Sequence, residues 1–421
     1  MTVNVTNNDL KQVEVLGFAQ LLNVEADAGL LHVMRLRCKA AVPVIDQADL
    51  ETKRVLELLV RRGIRYLALH RRTTMKHLQL VRLAAVASVA SVMALFATAV
   101  YAADDNDNGP AYGRELQGFE YPYPVQTHRF TSQGESMQMA YMDVKPEHAN
   151  GNTVVLLHGK NFCAGTWDET IHVLAGEGYR VIAPDQIGFC KSTKPEHYQY
   201  SFQQLARNTH DLLVSLGVGR SIVIGHSTGG MLAMRYALMY PDQTQKLVLV
   251  NPIGLEDWKA KGVPSLSVDQ WYDRELKTNA ARIRAYERDT YYVGTWQPSY
   301  ERWVQMLAGL NRGPGKQQVA WNSALIYDMI FTQPVVYEMG AIKPPTLLLI
   351  GDKDTTAIAK DVAPPEVKAR IGRYPELARL AEKTIPNVRL VEFPELGHAP
   401  QMQDPKAFHR ALLEGLAAAD R

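Results

Sequence analysis

Ser221-Ile222-Val223-Ile224-Gly225-His226-Ser227-Thr228-Gly229-Gly230 runs from a short apolar strand into a glycine-rich turn. A helical pattern over Gly229–Tyr240 follows, until Pro241 stops it. The turn has the form G-x-S-x-G between a strand and a helix, the context in which that pattern positions a nucleophile. The strand-to-helix reversal forces Ser227 into a strained backbone. Side chains must be absent on either side so that strand and helix can approach. Ser227 Oγ is then expected at the strand tip, at the positive end of a helix.

A serine hydroxyl is nearly unreactive at its own pKa and needs a base. The order Ser…Asp…His directs attention downstream. An apolar strand at Thr346–Ile350 runs into Gly351-Asp352-Lys353-Asp354. The last strand, Arg389–Phe393, runs towards Gly397-His398-Ala399-Pro400. Both follow a strand end, on the same sheet edge as Ser227. His398 is the expected base and later acid, with Asp354 as its orienting carboxylate. Asp352 is the rival acid, and Glu256, after the preceding strand, a lesser one. A developing oxyanion needs donors. The N–H of Thr228 is one, and the N–H of Lys160 in His158-Gly159-Lys160-Asn161-Phe162 the other, with Asn161 second. Asn161 and His226 are also candidate substrate contacts, while His158 reads as structural.

Outward from this centre, strands and helices alternate. Val125–Thr131 and Met137–Val144 form a hairpin around Gln133-Gly134; Thr153–Leu157, Arg180–Ala183 and Lys246–Val250 are further strands. Thr166-x-x-Glu169 reads as a capping box, Ser201 as a helix cap, and Asp404-Pro405 opens a terminal helix. The rhythm implies an α/β fold, a mostly parallel sheet covered by helices on both faces. Residues 255–344 interrupt it with helical pattern and five of the six Trp: Trp258, Trp271, Trp296, Trp303 and Trp321. They are read as an inserted helical lid dividing the core into 125–254 and 345–421. Arg312-Gly313-Pro314-Gly315 lies within it and is not a phosphate loop, since Gln317 stands where Ser or Thr is needed.

With 46 Lys+Arg and 44 Asp+Glu the net charge is +2, no basis for nucleic-acid binding. Three cysteines exclude a four-cysteine zinc site. Residues 1–102 carry +5 of this charge and the remainder −3. The apolar run at 83–101 follows Arg71, Arg72, Lys76 and Arg82 and ends in Val100-Tyr101-Ala102. Residues 75–102 therefore read as a signal peptide, or as an anchor if uncleaved, so membrane contact is expected only through 83–101. This places the protein in the periplasm or outside the cell. Residues 1–74 read as an upstream extension, and 103–124, polar and rich in Pro and Gly, as a linker.

Taken together, His158-Gly159, APDQIGFCKS at 183–192, GHSTGG at 225–230, NPIG at 251–254, GDKD at 351–354 and GHAP at 397–400 resemble the α/β-hydrolase family. The resemblance covers residues 125–418. It implies an eight-stranded sheet, a lid after the sixth strand and no cofactor or metal. Relatives that open epoxides or remove halides carry Asp where this chain has Ser227. Relatives that hydrolyse carbon–carbon bonds build HGGGPG where this chain has His158-Gly159-Lys160-Asn161-Phe162, a departure that brings a lysine to the mouth of the site. Cys163 and Cys190 fall in loops that this fold sets side by side, as a disulfide or as two buried thiols. The expectation is a serine hydrolase for carboxylic esters or lactones, acting on an apolar or aromatic small-molecule acyl substrate. Carbon–carbon hydrolysis, aminopeptidase action and a non-catalytic binding role are the alternatives.

Overall fold

The computed structural model describes residues 107–418. The upstream extension 1–74, the signal or anchor 75–102, Cys38 and the first residues of the expected linker lie outside the described residues. Among the described residues no helix is long and apolar enough to cross a membrane.

Val125–Ser132 (β1) and Glu135–Val144 (β2) pair antiparallel, with Ser132 opposite Glu135. Gln133 and Gly134 both take positive φ, 53° and 83°, the mirror-image turn that matches the twist of a hairpin. Thr153–Leu157 (β3), Arg180–Pro184 (β4), Ser221–His226 (β5), Thr244–Val250 (β6), Thr346–Gly351 (β7) and Val388–Phe393 (β8) complete an eight-stranded sheet. Its order is β1-β2-β4-β3-β5-β6-β7-β8, antiparallel between β1, β2 and β4 and parallel elsewhere. The central strands are apolar without interruption because both of their faces are covered. Alternate side chains go to opposite layers. Val155, Val223, Leu247 and Leu348 pack on one face; Val154, Ile224, Val248 and Leu349 pack on the other.

Helices Asp168–Gly176 (α1), Phe202–Ser215 (α2) and Thr228–Met239 (α3) connect these strands. Ser201 caps α2 as expected, its side chain accepting from the Gln204 N–H. The capping box at Thr166 does not form. A 3-10 turn, Ala164–Trp167, precedes α1 and makes Trp167 its N-cap, without a side-chain bond. Thr166 Oγ1 donates instead to the Cys163 carbonyl, 2.7 Å away.

Between β6 and β7 every described element is helical: Val268–Glu275 (α4), Ala280–Tyr286 (α5), a π-helical turn at Glu287–Tyr291, Glu301–Arg312 (α6) and Lys316–Thr332 (α7), with short 3-10 turns. Trp258, Trp271 and Trp303 are buried there, Trp271 stacked on Tyr327 with ring centres 4.4 Å apart. Tyr374–Thr384 (α8), between β7 and β8, is a helix the sequence reading does not contain. Pro405–Ala417 (α9) closes the fold, with Asp404 accepting from the Ala407 N–H.

The described part of the segment read as a linker, residues 107–124, is packed onto the body. Leu116 is fully buried and Phe119 nearly so. Lys191 Nζ donates to the carbonyls of Phe119 (2.7 Å) and Leu116 (3.2 Å). Tyr121 OH donates to Asp185 at 2.7 Å. The Tyr112 N–H donates to the Gly309 carbonyl at 2.9 Å, and Arg312 of α6 pairs with Asp107. The segment is a strap that fastens α6 to the loop after β4.

Candidate active site

The turn between β5 and α3 has the strain that its glycines imply. Ser227 sits at φ 56°, ψ −120°, a conformation costly for a residue with a side chain. A Cβ at Gly225 would collide with the Gly229 carbonyl, and one at Gly229 with that of Leu157. Strand and helix therefore meet at backbone distance. Ser227 is 4% exposed, and Thr228 begins α3, so its N–H has no partner within the helix.

Two loops at the same sheet edge bring up the acid and the imidazole. Asp354, after β7, holds His398, after β8: Oδ2 lies 2.6 Å from Nδ1, with both side chains fully buried. Asp354 is itself held. Asn251 Nδ2 donates to its Oδ2 at 2.9 Å, and the Thr356 N–H donates to its Oδ1 at 2.8 Å. Asn251, at the end of β6 with φ 38°, also accepts from the Gly351 N–H, tying the two strand ends together. Within NPIG the sequence alone gives Asn251 no task. His398 Nε2 is buried and makes no hydrogen bond, to Ser227 or to any other described residue. An imidazole oriented at one nitrogen and open at the other, beside a serine elbow, can take up a hydroxyl proton and return it.

Neither rival acid holds the imidazole. Asp352 makes no bond to His398, and its Oδ1 is buried without a partner. Glu256 accepts from Trp258 Nε1 (3.1 Å) and the Gly372 N–H (2.8 Å) and pairs with Lys261 at 2.5 Å, a clamp within the loops after β6 and β7. His226 does not reach the cavity as a substrate contact would. It is 1% exposed, stacks on Phe162, and its Nε2 donates to the His398 carbonyl at 2.7 Å. Burial, and then the neighbouring His398, hold its pKa well below the ordinary value, so it acts as a neutral brace for the histidine loop. His158 is structural as expected: Nδ1 donates to the Gly159 carbonyl, and Nε2 accepts from the Gln186 N–H.

The loop after β3 turns at Gly159–Phe162, the Phe162 N–H donating to the Gly159 carbonyl. Gly159 lies against Ser227, where a Cβ would stand 3.0 Å from the serine Cβ. Lys160 and Asn161 face a cavity of about 370 Å³ between this loop and helices α4, α6 and α7. Ser227 and His398 do not line it. Asn161 donates to Tyr291 OH at 3.0 Å, and the Tyr291 ring lies over His398 with centres 4.6 Å apart. Tyr291 thus stands between cavity and imidazole. Nothing in the sequence distinguishes it among the insertion's aromatic residues.

Residues 152–405 match the profile of the alpha/beta hydrolase fold. The chain belongs to the α/β-hydrolase family. It is similar to a probable hydrolytic enzyme of Pseudomonas aeruginosa PAO1 of known structure, with 65% identity and a TM-score of 0.73 over 74% of this chain and 99% of that one. It is 28% identical to Lipase 1 of Psychrobacter immobilis over 64% of this chain and 79% of that protein. It is 28% identical to a 2-hydroxy-6-oxo-6-phenylhexa-2,4-dienoate hydrolase of Burkholderia cepacia over 63% and 88%.

Two features of this α/β-hydrolase bear on its stability. Cys163 and Cys190 form a disulfide, with Cα atoms 5.8 Å apart, joining the loops after β3 and β4 beside the cavity. By the loop-entropy argument a crosslink of this span, 27 residues, stabilises by about 3.5 kcal/mol. Cys163→Ala/Cys190→Ala protein should unfold at correspondingly lower urea, read by circular dichroism; an unchanged midpoint would show that the bridge carries no stability.

The second feature is Glu287, fully buried in the π-helical turn, with no hydrogen bond to either carboxylate oxygen. Burial, and then the Glu301 carboxylate, push it up to about 8. Below the ordinary value of 4.5, folded and unfolded chains both hold this proton. Between there and pH 8 only the unfolded chain releases it, so stability falls as pH rises and the loss is complete above about 8. Its size is on the order of a few kcal/mol. In urea unfolding across pH 5–9, Glu287→Gln should flatten this slope. A slope equal to wild type would assign the pH dependence to other groups.

Proposed function

We propose that this α/β-hydrolase is a serine hydrolase acting on carboxylic esters or lactones through an acyl-enzyme. Ser227 attacks the acyl carbon while His398 takes its proton, and Asp354 holds the imidazole in the required tautomer and steadies its charged form. The N–H groups of Thr228 and Lys160 receive the developing oxyanion. His398 then passes the proton to the leaving group, and water enters by the same route in reverse. The observation that carries this reading is the buried Asp354–His398 pair, oriented at Nδ1 and open at Nε2, beside the strained Ser227 elbow. The helical insertion acts as a lid, and its apolar cavity wall favours an apolar or aromatic substrate. The disulfide supports an oxidising compartment, periplasmic or extracellular.

A fluorophosphonate probe should label the wild type and leave Ser227→Ala unlabelled. An unlabelled wild type would favour a binding role. Carbon–carbon hydrolysis is the second reading, favoured by the similarity to the dienoate hydrolase. Turnover of p-nitrophenyl esters and lactones without turnover of a dienoate would decide for the first.

A further inference from the structure

The wall of the cavity is more cationic than an acyl pocket for neutral esters requires. Lys194 is the clearest case. Its side chain is 2% exposed, and its ammonium donates to the carbonyls of Cys190 and of Ser192 (2.9 Å). No described carboxylate lies within ion-pair distance of it. Burial pulls it down to about 7, against the raising influence of Asp185 and Glu115. A buried charge is normally paired, because removing it from water costs several kcal/mol. Lys160, on the same wall, is balanced: its ammonium lies 3.3 Å from Glu275 Oε2 and 3.8 Å from the centre of the Tyr327 ring. Lys277 and Arg282 also line the cavity, as does Arg274, which pairs with Asp361, and Glu275 is its one acidic lining residue. The rest of the wall is largely apolar, with Ile283, Leu310 and Ile326.

We infer that the cavity receives a substrate with an apolar body and a carboxylate remote from the reacting carbonyl, the carboxylate meeting the ammonium groups of Lys194 and Lys160. The inference rests on the hydrolase reading for its reaction and on the cavity alone for its ligand. A carboxylate supplies Lys194 with the direct ion-pair partner that no described residue provides, Asp185 and Glu115 acting on it only from a distance. The disulfide fixes the Cys190 carbonyl that holds Lys194, so the cation is set in place before substrate arrives. Lys160 contributes twice, through its side chain here and its N–H at the oxyanion.

Two ester pairs test this. One is p-nitrophenyl hemiglutarate against p-nitrophenyl valerate; the other is the butyrate ester of 4-hydroxybenzoate against phenyl butyrate. Wild type should prefer the anionic member of at least one pair by about tenfold or more in kcat/KM. Lys194→Met, and independently Lys160→Met, which keeps the backbone N–H and guards against a Lys194 variant that fails to fold, should each collapse that ratio. No preference in either pair, or a preference that survives both substitutions, would overturn the inference. A preference for an ester carrying an ammonium group would overturn it too, in favour of Glu275 as the reader. Calorimetry on Ser227→Ala protein separates the two readings. 4-Phenylbutyrate should bind about tenfold tighter than 4-phenylbutan-1-ol whether or not esters are turned over. Equal affinities would sink the inference while leaving the hydrolase intact.

Discussion

Ser227→Ala should lower kcat on an activated ester by about 10⁴–10⁶, and His398→Ala by a similar factor. The double variant should be scarcely worse than either single one. In the proposed mechanism the two groups work in series: without the hydroxyl the imidazole has no proton to move, and without the imidazole the hydroxyl is inert. What survives is the contribution of the oxyanion donors and of binding, so KM should change little. The proposed oxyanion donor at Thr228 is a backbone N–H that both substitutions leave in place. A Ser227→Ala protein that kept more than about a hundredth of wild-type kcat would remove Ser227 from the role of nucleophile. Additive losses in the double variant would mean that the two residues act in different steps.

Asp354→Asn should lower kcat by about 10³–10⁴ at neutral pH, whereas Asp352→Asn should stay within a few-fold of wild type. The contrast follows from the hydrogen bonds around Asp354. Its Oδ1 accepts from the Thr356 N–H, and its Oδ2 accepts from Asn251 Nδ2 while meeting His398 Nδ1. An asparagine cannot accept at both atoms. An NH₂ at the Oδ1 position would face the Thr356 N–H donor and strain the loop; one at the Oδ2 position would face Asn251 Nδ2 and the imidazole, and would drive the histidine to the wrong tautomer. Asp352 has no such contact, and burial raises its pKa without involving it in the histidine loop. The two variants compared across pH 5–9 should differ in profile as well as height. Equal losses would reinstate Asp352 as the acid.

The centre of this molecule was legible because steric necessity writes it into residue types. Gly225 and Gly229 admit no Cβ, the strained serine needs them, and parallel strands covered on both faces need uninterrupted apolar runs. The candidate acid and base follow strand ends, so their order and context sufficed to propose them, and distance separates Asp354, which meets His398, from Asp352. What failed to read had weaker local signals. Thr166-x-x-Glu169 has the letters of a cap, yet a 3-10 turn ahead of α1 gave the hydroxyl a nearer carbonyl. Helix α8 carries its apolar residues, Leu377, Ala378 and Ala381, in too short a run to stand out. Glu287 sits between Tyr286 and Arg288 and looks like a solvated acid; only tertiary packing buries it. His226 precedes Ser227 in sequence, but the strand's alternation turns it towards Phe162 and buries it.

The strap at 107–124 changes where this protein can be trimmed. Counting from its first strand, the body begins at Val125. A chain cut there would expose the seats of Leu116 and Phe119 as apolar furrows and strip Lys191 of the carbonyls it holds. It would also sever the ties that reach Gly309 and Arg312 on α6, one flank of the cavity. A segment whose composition reads as spacer thus works as a moored cable, and the shortest version that keeps the cavity's shape must retain Asp107.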